Sequence, residues 1–230
     1  ADVNLAASQD MSVDGEIAAA GALDLLARGD ARIGEASRLA SAQQASLRAG
    51  GAVAVAGELR GNEGTNVQTG GTLDVQGLVA AARGPLAMDA GQDLSVGVNG
   101  RVLAGGPLNA LAGGSLTSAG ILSSQADLAL GASRNLTLQG QSVAVGGMRL
   151  NAGERLVAAC GAWTQADGAL NMTAGAAALA GTAIAGGGAS LRTDSDLLLD
   201  GDLLAPGSAL TLASGGDLKL AASSAMQAGG

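Results

Sequence analysis

Apolar residues in this chain recur as apolar-x-apolar pairs, the period of a β-strand, and the pairs themselves recur at a fixed interval. One series begins at Val3, Leu23, Ala45, Thr65, Leu86, Leu108, Leu128, Met148, Leu170, Ala189 and Leu210, in steps of 19 to 22 residues. A second begins at Met11, Ala31, Val53, Leu73, Leu94, Leu116, Leu136, Leu156, Ala177, Leu197 and Leu218. It follows the first by eight residues in ten of eleven units and by seven in the other. A third, weaker series carries a Gly two positions earlier: Gly15-x-Ile17, Gly57-x-Leu59, Gly100-x-Val102, Gly161-x-Trp163 and Gly201-x-Leu203. The chain therefore reads as eleven units of about 21 residues, each with three strand-like pieces. Units four and nine fit the pattern least well.

A helical reading fails on glycine. Ala and Leu favour helices, but the 39 Gly are spread along the chain, and each would cost up to about 1 kcal/mol in a helix interior. Disorder fails on the ordered recurrence of the apolar pairs. A unit of this size cannot bury its own apolar face, so units must stack, like residue over like residue. The predicted fold is all-β: a right-handed parallel β-helix of about eleven coils, three short strands each, forming one segment over residues 1–230. Leu128 and Leu130, Leu136 and Leu138, and Val143 are expected to face inward, with Asp24, Thr137 and Lys219 outward. Neither end carries a polar cap, which reads as an internal piece of a longer rod.

Composition removes several functions. There is no His, Phe or Tyr, and one Trp. Without His the commonest general base and metal ligand are missing, which rules out a Ser-His-Asp or Cys-His hydrolase. The net charge is −8, and the twelve basic residues are scattered, so no nucleic-acid footprint is present. No apolar run is long enough to predict a membrane span. With a single Cys, no disulfide framework is available.

The units Gly114-Ser-Leu116, Ala126-Asp-Leu-Ala-Leu130-Gly-Ala-Ser-Arg-Asn-Leu136-Thr-Leu138 and Ala209-Leu-Thr-Leu-Ala-Ser-Gly-Gly-Asp-Leu-Lys-Leu220 resemble the haemagglutinin repeats of two-partner-secretion exoproteins. The resemblance covers essentially the whole chain. It implies the right-handed β-helix of a secreted bacterial surface adhesin, exported by an outer-membrane transporter partner and meeting a host receptor, an integrin or a glycan. The Asn-Pro-Asn motifs of that family's secretion domain are absent, which implies shaft rather than export signal. The alternative in another class is a pure spacer in a toxin-delivery exoprotein. Enzymatic activity and a cofactor are not expected.

Arg28-Gly29-Asp30 is an Arg-Gly-Asp tripeptide placed at the corner between the first and second strands, where it would resemble an integrin ligand. Against this, Asp10, Asp93, Asp196 and Asp217 occupy the same corner position in other units, so Asp30 is also what the turn requires. Asp194, Asp196, Asp200 and Asp202 could offer oxygen ligands to calcium, but they read as solvated corner charges. Cys160 follows Leu156 and Ala158 by alternation and is expected inside as a small apolar filler. Trp163 is expected in an interior slot of the third strand. Asn135-Leu-Thr and Asn171-Met-Thr match glycosylation acceptors but fall on strands of a bacterial-type product and read as chance.

Overall fold

The computed structural model describes residues 1–229. It is a β-solenoid of about eleven coils, built from 31 strands and no helix among the described residues. All strand pairs are parallel. Each coil presents three faces, and every residue lies beside its equivalent one coil away. Leu128 sits between Leu108 and Met148 on the first face, and Leu136 between Leu116 and Leu156 on the second. The first two series of the sequence pattern coincide with these columns throughout.

Inside, the columns are aliphatic. Three residues point inward on the first face (Leu23, Leu25 and Ala27, for example) and two on the second (Leu94 and Val96). The third face is narrower. Its second inward position holds only Ala, Ser or Gly, from Ala19 through Ser41, Gly61 and Ser124 to Ala205 and Ala228. Buried hydroxyls at the corners donate to carbonyls of a neighbouring coil, as Ser41 does to Gly21 (2.7 Å) and Ser124 to Gly106 (2.9 Å). The seven-residue spacing of unit nine is a shorter first corner. Strand Leu170–Leu179 passes Met148–Ala158 with a register shift between Ala152 and Arg155.

The third series holds at Ile17, Leu59, Val102 and Leu203, which lie on the inward side, but departs from expectation in parity between Val102 and Leu203. Its inward residues in units seven to nine are Ser142, Thr164 and Ala183, all buried, while Val143, Trp163 and Ile184 stand on the outer side. Val143 and Trp163 are therefore not core residues. A shift of one position moves every side chain to the opposite face, and register here is imposed by the coils on either side. Leu122 lies against Ser142, and Ser142 against Thr164.

The second corner carries a longer-range repeat. In coils two, five, eight and eleven two extra residues form an exposed turn, closed by Ser37 N–H to Gly34 O, Gly100 to Gly97, Ala162 to Ala159 and Ser224 to Ala221, at 2.8–3.1 Å. The tips start at Glu35, Val98, Cys160 and Ala222, separated by 63, 62 and 62 residues. The flanking coils follow the same beat. The coil before each turn offers a polar side chain at one position: Asp14, Gln76, Gln139 and Asp200. Asp200 accepts from Ser223 Oγ at 2.6 Å. The coil after each turn has Ala-Gly there: Ala56-Gly57, Ala119-Gly120 and Ala180-Gly181. The structural repeat is thus one coil, and the sequence repeat at this corner is three.

Candidate functional site

Arg28-Gly29-Asp30 lies at the first corner of coil two, where the chain leaves the strand Leu23–Ala27 and enters Ala31–Ile33. Asp30 Oδ1 accepts the backbone N–H of Ala52, one coil on, at 2.7 Å. Its own N–H donates to Asp10 Oδ1, one coil back, at 2.9 Å. Asp93 does the same for Ser115 (2.7 Å) and Asp196 for Asp217 (2.9 Å). The corner aspartates therefore cap a neighbouring coil rather than their own turn, linking layers with charge-assisted bonds.

The same ladder explains Gly29. A Cβ there would stand 2.1 Å from Asp10 Oδ1, and one at Gly51 would stand 2.1 Å from Asp30 Oδ1. A residue with a side chain cannot let the carboxylate approach, so each Asp calls for a Gly in the next coil. Two of the three residues of the tripeptide are thus fixed by stacking. Arg28 alone is not: it is exposed, and none of the three ion pairs among the described residues involves it.

The four clustered aspartates do not converge. Asp194 and Asp196 belong to the first corner, Asp200 to the second, and Asp202 to the outer side of the third face between Thr182 and Ala225. Among the described residues no group of three or more acidic, Cys or His side chains is arranged to hold a metal ion. Asn135 and Asn171 stand on the outer sides of strands, beside Arg155 and beside Arg149 and Ser190.

Cys160 is exposed, not buried as alternation suggests. The strand ends at Ala158, and Cys160 occupies the first tip position of the protruding turn Ala159–Ala162, with Gly161 at φ +85° behind it. That left-handed conformation, reserved for the third residue of a type II turn, favours Gly. The native chain is therefore expected to react with a maleimide as fast as a small-molecule thiol, without denaturant. A reaction that waits for unfolding would put the thiol inside.

Trp163 follows this turn directly, on the outer side of the third face between Gln141 and Thr182. It is 39% exposed. Gly161 holds the second tip position of its turn, one residue before the place Gly100 takes in the matching turn of coil five, so the Gly-x-Trp anchor falls one residue short of the inward slot, which Thr164 takes. Nothing local in the sequence signals this; only the phase of the neighbouring coils does.

Comparison with known proteins adds no relative: no family model, curated protein or solved structure matches the chain. No helix among the described residues is long and apolar enough to cross a membrane.

Proposed function

We propose that the chain is the structural shaft of a secreted bacterial surface adhesin, holding other elements at a distance from the cell. The observation that supports this is the unbroken stack. Each coil is bonded to the next along three faces and shares one aliphatic core with it. At about 4.8 Å per coil, eleven coils span roughly 50 Å. The likeness of the units to haemagglutinin repeats, those of Bordetella filamentous haemagglutinin above all, supplies the setting: export through an outer-membrane transporter and residence at the surface or in the medium. The reading assigns no catalysis and no cofactor.

Within it, we read Arg28-Gly29-Asp30 as a rung of the corner ladder rather than the receptor ligand, because Gly29 is needed for close approach of the Asp10 carboxylate and Asp30 is bonded to both neighbouring coils. Beads coated with the chain and offered to integrin-bearing cells test this. Asp30→Ala and Asp196→Ala each remove one rung, and each is expected to lower stability by about 0.5–1.5 kcal/mol while attachment stays at the wild-type level. Loss confined to Asp30→Ala would restore the tripeptide as an attachment site. Failure of the wild-type beads to attach would leave the pure spacer as the function.

A further inference from the structure

From coil five to coil ten the outer side of the third face puts out one large apolar side chain per coil: Leu103, Ile121, Val143, Trp163, Ile184 and Leu204. None of them is buried. The outer side of the first face carries one over the same coils, Leu111. With two outward residues per coil, these six coils present twelve, and only two are charged. They stand at the two ends of the strip: Arg101 beside Leu103 in coil five, and Asp202 beside Leu204 in coil ten. Both lie in one column, with Ile121, Gln141, Trp163 and Thr182 between them. Neither takes part in an ion pair among the described residues. Nearer the start of the same column charge is answered within the chain, where Arg38 lies between Glu16 and Glu58.

We propose that this strip is the contact between two copies of the chain, packed face to face with the rods antiparallel. A two-fold axis lying in the face and crossing it between coils seven and eight, at right angles to the rod, sets coil five of one copy against coil ten of the other. It keeps each column opposite itself. Arg101 then faces Asp202 of the second copy, and Asp202 faces its Arg101, an isologous pairing that brackets the apolar row. The opposite signs are what point to a second copy, because like charges at the two ends would repel in this arrangement. A two-fold axis along the rod would instead set Arg101 against Leu103 and cover both charges unpaired, which is costly. The protruding turns agree with the crosswise axis. Those of coils five, eight and eleven come opposite coils ten, seven and four, which carry none, so no turn meets a turn. At about 4.8 Å per coil the two charges are about 24 Å apart along the rod, an interface at the small, weakly associating end of the range. The pairing uses a different face from the tripeptide and holds for a spacer as well as for an adhesin shaft, so its failure and that of the shaft reading are separate results.

Sedimentation velocity under reducing conditions is expected to show a monomer–dimer equilibrium with a Kd on the order of 0.1 mM. Arg101→Asp and Asp202→Arg each set like charges against each other at both ends of the strip. Each is expected to weaken dimerisation about tenfold or more. An equimolar mixture of the two variants restores both opposite-charge pairs and is expected to dimerise as the parent does. Cys160 reports the orientation, since the crosswise axis keeps both thiols on the same edge, one coil apart along the rod. A short bismaleimide is expected to trap the parent dimer and the mixture, but neither variant alone. Both substitutions lie on the surface, and circular dichroism should match the parent. A parent that stays monomeric at about 1 mM, single variants that dimerise as well as the parent, or a mixture that stays monomeric would each overturn the proposal. Assembly beyond two copies that persists in both variants would place the contact at the terminal coils and overturn it as well.

Discussion

Leu116→Ala is expected to lower stability by about 2–5 kcal/mol, and Ser118→Val, two residues further along the same strand, to raise it. Leu116 is fully buried in the second-face column between Leu94 and Leu136. Truncation removes its transfer energy and leaves a cavity between two fixed layers, the circumstance in which Leu→Ala changes are most costly. The layers cannot close the gap, because the coil spacing is set by backbone hydrogen bonds on three faces. Ser118 lies in the adjoining column beside Val96 and Leu138, and its Oγ is the one buried side-chain polar atom among the described residues without a partner. An unpaired buried hydroxyl costs about 1–3 kcal/mol, and Val returns apolar contact in its place. Equilibrium denaturation of the two variants checks both signs. Equal midpoints would mean that the column does not carry the stability of the rod. The outward Thr117→Ala between them is expected to stay within about 0.5 kcal/mol of the parent.

The first and second faces were legible in the sequence because their inward residues are large and their spacing is nearly constant. Leu108 and Leu116, or Leu128 and Leu136, announce themselves by type and by an eight-residue offset. The third face was legible only in part. Its first inward column takes Leu39, Leu59, Val102 and Leu122, but in coils seven and eight the same column holds Ser142 and Thr164 while Val143 and Trp163 stay out, so residue type misleads there. The Gly-x-apolar anchor misleads at Trp163 because Gly161 sits one residue earlier in its turn than Gly100 does in coil five. Alternation fails at Cys160 because the strand that sets it ends two residues earlier. The corner aspartates were visible as a recurrent type, but the N–H each one serves lies about 20 residues away, and only stacking brings it near. That Arg101 and Trp163 share a column could not be read from the sequence for the same reason, since the parity of four coils has to be known first.

Gly120→Ala and Gly131→Ala, in adjacent coils, are expected to move stability in opposite directions. Neither glycine has positive φ, so the difference rests on proximity. At Gly120 a Cβ would stand 2.1 Å from Gly100 O and 2.4 Å from Gly97 O, the two carbonyls flanking the protruding turn of coil five. Both oxygens belong to backbone held in the ladder: Gly100 O accepts from Ile121 N–H at 3.0 Å, and Gly97 O closes its own turn with Gly100 N–H at 2.8 Å. Relief therefore requires two coils to separate, and the overpacking cost is expected to be about 1–3 kcal/mol. At Gly131, on the outer side of the first face, a Cβ would meet only Leu111 Cδ2 at 2.8 Å, the far end of an exposed side chain that can rotate away. There Ala restricts the unfolded chain and is expected to gain about 0.4–1 kcal/mol. Thermal unfolding of the pair decides the matter: a neutral Gly120→Ala would mean that coils can part at this corner without loss. The Ala-Gly that recurs after each protruding turn, at Gly57, Gly120 and Gly181, would then lack the steric cause assigned to it.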